Sequence, residues 1–249
     1  MLDSSTDLKS MLSDPSLLQT RAFINNQWVD AENEATFDVK NPARGDVIAQ
    51  VADLTRTDLA RAISGAEIAQ KKWAAISAKE RSNILRAWYN LMMENQADLA
   101  KILTAEMGKP LAESMGEIAY GSSFVEFFAE EAKRNYGETI PGHQADKRIT
   151  VIKQPIGVAA SITPWNFPNA MLTRKIAPAI AAGCAVVCKP ANATPLSALA
   201  LMELAERAGF PKGLVNIVTG RTAEIGAEIT SNPIVPKGTF TGSTLPPIH

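Results

Sequence analysis

Two cysteines, two histidines and a formal net charge of -1 are all that 249 residues offer toward disulfide, metal or long-range electrostatic chemistry. Cys184 and Cys188 both lie inside an apolar stretch, so a disulfide framework is not expected and a reducing compartment fits. His143 and His249 have no Cys, His or carboxylate cluster at ligand spacing around them, which leaves no basis for a metal site. Acids and bases are mixed throughout, so the chain lacks the basic stripe of a nucleic-acid or anionic-membrane binder. No apolar run approaches the roughly 18 residues of a membrane-spanning helix. The start, MLDSSTDLKSMLSDP, lacks the basic-then-apolar order of a signal peptide, and a cytoplasmic protein is expected. What is present is 46% hydrophobic residues, enough to bury a full core.

The chain changes texture along its length. Residues 1 to 20 are polar and predict a short helix or loose arm. AFINNQWV, then TFDVKNPARGDVIAQV, alternate apolar and polar residues between breakers, which predicts a small hairpin or meander. From Thr57, a candidate N-cap, Leu59, Ala62, Ile63, Ala66, Ala69 and Trp73 recur at helical steps. A second helix carries Ile84, Leu85, Trp88, Leu91 and Met92 and continues past Leu99 to a stop at Gly108-Lys109-Pro110. A third runs from about Leu111 to Arg134, and GETIPGHQADKRITVIKQPIG then reads as two strands about a polar turn, a hairpin suited to an oligomerisation arm. The second half alternates short β-branched strands at 158–163, 185–189, 214–218 and 238–242 with helices at 169–182, 195–208 and 222–231. The expected fold class is α/β: a Rossmann-like parallel sheet with flanking helices, incomplete, preceded by the hairpin. The expected divisions are 1–136 for the N-terminal helical and strand part, 137–156 for the hairpin arm and 157–249 for the partial cofactor-binding sheet.

Topology does not choose among the chemistries such a sheet hosts. A short-chain dehydrogenase would want a glycine where Glu224 stands in TGRTAEIG and a Tyr followed four residues later by Lys, and neither is present. No G-x-S-x-G occurs for a serine nucleophile. Four motifs in one order do occur: TPWNFPNAM at 163–171, AAGCAVVCKPANATP at 181–195, NIVTGRTAEIG, and FTGST at 240–244. Together they resemble the aldehyde dehydrogenase superfamily, and the resemblance implies a role for each matching residue. Asn166 would hold the oxyanion through a neutral side-chain amide, although by itself it also suits a helix cap before Pro168. Thr163, Pro164 and Trp165 flank it in the cofactor cradle. Lys189, with Pro190 and Ala191, would meet the adenosine ribose, the alternative being a surface lysine with a buried stem. Gly220 and Gly226 open the third turn, and Gly242 with Ser243 would meet the pyrophosphate. The resemblance also implies that Cys184 and Cys188 are core residues and not the family's nucleophile.

Two residues carry specificity in this reading. Many NAD-preferring relatives have Glu two places after the position of Pro190, where this chain has Asn192, so NADP, or both NADP and NAD, is expected as cofactor. Arg174, within AMLTRKIAPAIAAGC, matches an arginine that in succinate-semialdehyde dehydrogenases binds the substrate's far carboxylate, a task suited to a planar guanidinium; an exposed helix arginine is the other reading. The expected substrate is a small aldehyde, succinate semialdehyde first, with glutarate semialdehyde or an aliphatic aldehyde as alternatives. Full-length relatives are homo-oligomeric, and no nucleic-acid or membrane partner is expected. After FTGST the chain reads LPPIH, without the family's general-base Glu and nucleophilic Cys segments. Two expectations follow: a dehydrogenase by family, or an inactive truncated fragment that at most binds nucleotide weakly or associates with intact subunits.

Overall fold

The computed structural model describes residues 4–242, with side chains from residue 8 onward; Ser243 lies outside the described residues. Helix α1 (Ser4–Met11) and a 3-10 turn (Pro15–Leu17) lead into strands β1 (Ala22–Ile24) and β2 (Gln27–Val29). Asn25 and Asn26, both at φ 53°, make the tight turn between these strands, a conformation asparagine tolerates well. The opening arm is packed rather than loose, because Leu8, Leu12 and Leu17 are buried. Strands β3 (Thr36–Lys40) and β4 (Val47–Ala52) pair with each other in a separate two-stranded sheet.

Helix α2 (Arg56–Ala75) is N-capped by Thr55, two residues before the expected Thr57. Thr55 and Asp58 form a reciprocal capping box, a signal in Thr-Arg-Thr-Asp that the apolar periodicity alone overlooks. The single helix expected from Ile84 to Gly108 is two: α3 (Ala78–Glu94) and α4 (Gln96–Met107), broken at Asn95, whose side chain donates to the Leu91 carbonyl. Gly108, left-handed at φ 89°, ends α4. Helix α5 (Leu111–Glu131) runs into a 3-10 turn (Ala132–Arg134), and β5 (Glu138–Pro141) pairs antiparallel with β6 (Arg148–Val151) in a hairpin whose residues are all exposed.

The remaining elements alternate as β7 (Val158–Ile162), α6 (Ala170–Ala181), β8 (Ala185–Lys189), α7 (Leu196–Arg207), β9 (Val215–Ile217), α8 (Thr222–Ser231) and β10 (Lys237–Phe240). The six-stranded sheet runs β10-β7-β8-β9-β1-β2, with β10, β7, β8 and β9 parallel. Strand β1 joins β9 antiparallel, so the N-terminal hairpin extends the main sheet. Such long-range pairing has no local sequence signal. From β7 the chain steps twice in one direction and then returns to β10 on the other side of β7. Right-handed crossovers therefore put α6 and α7 on one face and α8 on the other. The contacts agree, since α6 and α7 both pack on α3, whereas α8 packs on α2. Among the described residues no helix is long and apolar enough to cross a membrane.

Candidate functional site

The register of the parallel strands brings three of the four motifs side by side at the carboxyl edge of the sheet. Ile162 pairs with Lys189 on one side and with Phe240 on the other. Past these pairs the Thr163 amide donates to the Lys189 carbonyl at 3.2 Å, and the Thr241 amide to the Ile162 carbonyl at 3.1 Å. Thr163, Lys189 and Gly242 thus stand at neighbouring strand ends. The chain order reverses between β7 and β10, the place in an open α/β sheet where a crevice forms and ligands bind.

Lys189 is no surface cation. It is 1% exposed, and its Nζ donates to the Pro190 carbonyl at 2.9 Å and to Asn192 Oδ1 at 2.5 Å. Burial lowers its pKa to about 8, with the Asp53 carboxylate opposing that shift. Three N–H donors on an ammonium and two protein acceptors leave capacity for a further acceptor. Asn192 and Ala191 are half-buried beside it. Asn192 thus sets a neutral amide, and not a carboxylate, against the ammonium.

The two glycines of the third motif differ. Gly220, at φ 143°, forms a bridge to Leu54, and a Cβ there would lie 2.5 Å from the Leu54 carbonyl oxygen. Chain packing alone accounts for it. A Cβ on Gly226, midway along α8, would meet nothing within 4 Å, so packing within the chain does not require glycine there. Gly242 is exposed.

Asn166 does not cap a helix, because α6 begins at Ala170, after Asn169. Its side chain is exposed at the tip of a turn between Trp165, 56% exposed, and Phe167, 38% exposed. The true cap comes from α5: Glu117 Oε1 accepts from the Asn169 amide at 2.9 Å and the Ala170 amide at 3.2 Å. Glu117 Oε2 takes Lys109 Nζ at 2.5 Å, and the same Nζ donates to the Asn166 carbonyl at 3.1 Å. Glu106 on α4 caps α7 in the same way, accepting from the amides of Leu196 and Ser197 at 2.7 and 2.8 Å. Burial pushes its pKa up to about 8 against the pull of the Ser197 and Leu196 bonds. The sequence reading missed Lys109, Glu117, Glu106 and Asp53. Gly-Lys-Pro looked only like a helix stop, and glutamates on long helices look like solvated faces.

Arg174, on α6, is exposed, with its guanidinium 5.7 Å from the Phe124 ring centroid and Nη1 donating to Met171 Sδ. Its neighbour Lys175 donates to Thr239 Oγ1 at 3.0 Å, and burial lowers the Lys175 pKa. Both side chains line a cavity of about 440 Å³ floored by Ala159, Pro178 and Ala179. Cys184 and Cys188 are buried, and burial pushes the Cys188 thiol well above the usual range, so it is held as SH. Among the described residues no group of three or more His, Cys, Asp or Glu could hold a metal ion.

Comparison with known proteins agrees with this geometry. Residues 28–245 match the aldehyde dehydrogenase family. The chain is 60% identical over 233 residues to a glutarate-semialdehyde dehydrogenase of Pseudomonas aeruginosa, covering 94% of this chain and 48% of the relative. It is 59% identical, with the same coverage, to the succinate-semialdehyde dehydrogenase (NADP+) of Escherichia coli. The crystal structure of succinate-semialdehyde dehydrogenase from Burkholderia pseudomallei superposes with a TM-score of 0.93 at 55% identity, covering 94% of this chain and 48% of that one. The chain thus spans about half the length of the relatives it matches. Its motifs, its sheet order and these likenesses concur: the chain belongs to the aldehyde dehydrogenase family.

Proposed function

We propose that this chain carries the dinucleotide cradle and oxyanion donor of a dehydrogenase that oxidises succinate semialdehyde to succinate, with NADP preferred over NAD. The observation that carries it is the buried Lys189 at the carboxyl edge of the sheet, tied to a neutral Asn192 and one strand away from the turn that presents Asn166. Lys189 and Asn192 would hold the adenosine ribose, with Thr163, Pro164 and Trp165 along the crevice, Gly226 leaving room and Gly242 with Ser243 at the pyrophosphate. The dinucleotide, NADP or NAD, supplies the hydride acceptor. The Asn166 amide donates to the charge that develops on the aldehyde oxygen, an effect worth about 3 kcal/mol at comparable sites. Arg174 pairs the substrate's far carboxylate and so sets the chain length accepted. The names of the relatives divide between glutarate and succinate semialdehyde, two acids that differ by one methylene.

A second reading concerns the chain by itself: it binds nucleotide without turning aldehyde over. The observation favouring it is that neither cysteine can act as nucleophile, both being buried in the sheet region.

A hybrid enzyme tests the first reading. The matching segment of the Escherichia coli relative is replaced by this chain's residues, and oxidation of succinate semialdehyde is measured. Asn166→Ala in the hybrid should lower kcat by roughly a hundredfold or more with little change in KM. Arg174→Met should raise KM for succinate semialdehyde and not for an uncharged aldehyde of equal length. A folded hybrid whose kcat ignores Asn166→Ala removes the oxyanion role. The second reading fails if the chain alone reduces NADP in the presence of the aldehyde.

A further inference from the structure

We infer that Lys109 and Glu117 form a positioning pair that fixes the direction of the Asn166 side chain by holding both ends of its turn, an inference resting on the reading of Asn166 as oxyanion donor. Besides the Lys109 and Glu117 bonds, the turn's carbonyls accept from the Met171 amide, at Phe167 over 2.9 Å, and from Thr194 Oγ1, at Trp165 over 3.5 Å. Its first end is held because Lys109 Nζ donates to the Asn166 carbonyl at 3.1 Å, its second because Glu117 Oε1 accepts from the amides of Asn169 and Ala170 at 2.9 and 3.2 Å. The two holds are one unit, since Lys109 Nζ also donates to Glu117 Oε2 at 2.5 Å. Both side chains are nearly closed off from water, at 8% and 1% exposure, so the pair is neither screened by salt nor free to exchange partners. The ammonium lies 4.0 Å from the Phe167 ring centroid, which fixes the residue after Asn166 as well.

The pair is anchored in rigid elements. Lys109 follows the left-handed Gly108 that ends α4, and Glu117 stands on α5. One turn beyond Glu117, a Cβ on Gly121 would lie 2.1 Å from Asn169 Oδ1, so that glycine lets α5 come close to the turn. An exposed asparagine between two exposed aromatics would otherwise sample many directions, and a donor contributes to an oxyanion only if it is aimed before charge develops. The pair supplies that preorganisation without touching substrate or cofactor.

Trp165, adjacent to Asn166, reports on the turn. The chain has four tryptophans, and labelling with 5-fluorotryptophan gives four ¹⁹F lines, of which Trp165 is assigned by Trp165→Phe. The unsubstituted chain should show one sharp Trp165 line and slow exchange of the Asn169 and Ala170 amides. Lys109→Met should broaden or split the Trp165 line and speed those two amides by at least about tenfold, leaving the lines of Trp28, Trp73 and Trp88 in place. Glu117→Gln keeps an oxygen for the amides and loses the ion pair, so it should broaden the Trp165 line while the amides stay slow. Should Lys109→Met not fold, Glu117→Gln and the amides of the unsubstituted chain decide alone. A sharp, unmoved Trp165 line in the variants, fast exchange of the two amides in the unsubstituted chain, or equal changes at all four tryptophans would overturn the proposal. None of these readouts involves an aldehyde. Failure here is therefore distinct from failure of the oxyanion reading, which the hybrid enzyme reports through Asn166→Ala.

Discussion

Lys189 shows how much of a site a single position in a strand can determine. It ends a run of buried residues, Ala185 to Cys188, and its own side chain stays inside, 1% exposed, with two protein acceptors. Its pKa is lowered from 10.5 to about 8, so the unfolded chain holds this proton more tightly than the folded one. The cost of keeping Lys189 charged is fully present below pH 8 and is relieved as pH rises from about 8 to 10.5, by about 3 kcal/mol in all. Lys189→Met should therefore raise stability at neutral pH and abolish this alkaline rise in a series of denaturant unfolding curves, while weakening dinucleotide binding. The two glycines separate in the same manner. Gly220→Ala should cost about 1 to 3 kcal/mol, since its φ of 143° and the nearby Leu54 carbonyl both oppose a Cβ. Gly226→Ala has open space and a gain in helix propensity of about 1 kcal/mol, so Tm should hold or rise. Any loss of nucleotide binding in that variant then reports a ligand against α8. Unchanged affinity for both dinucleotides would remove Gly226 from the cradle.

At the scale of elements, two helices that carry the site are capped from a different layer. Glu106 on α4 caps α7 and Glu117 on α5 caps α6, which couples the outer helices to the carboxyl edge of the sheet. Glu106 lacks the lysine that Glu117 has, and burial raises its pKa from 4.5 to about 8. A carboxyl that holds its proton more tightly in the folded state contributes stability that is full below pH 4.5 and is lost as pH rises through 8. Glu106→Gln should flatten the fall in stability between those limits, as unfolding curves at half-unit pH steps would show; a slope identical to that of the unsubstituted chain would contradict the assignment. The buried parallel strands β7, β8 and β9 were legible in the sequence because each is short, apolar and bounded by Gly or Pro. The capping glutamates were not, because their partners are backbone amides 52 to 91 residues away. Thr55 was within reach, since Thr-x-x-Asp is a local signal. The break at Asn95 was not, for apolar residues keep helical spacing on both sides of it.

Across the whole molecule, β10 is an edge strand, exposed along most of its length, with Phe240 49% exposed. An open edge favours pairing between copies, so sedimentation should show association that grows with concentration. A monomer at all concentrations would count against this. What the sequence made legible is the placement of the proposed site residues: the ends of β7, β8 and β10 bring Thr163, Lys189 and Gly242 side by side, while the roles given to Asn166, Lys189, Asn192 and Gly242 come from the family resemblance. Lys109 was illegible because it meets Asn166 only through the packing of α5 on α6. On the proposed function, these strand ends form a dinucleotide cradle in which Asn192 permits a second phosphate. Calorimetric titration of the chain with NADPH and with NADH tests it most directly. Saturable binding of both, tighter for NADPH and weakened in Lys189→Met, is the predicted result; tighter binding of NADH, or no binding of either, would contradict it.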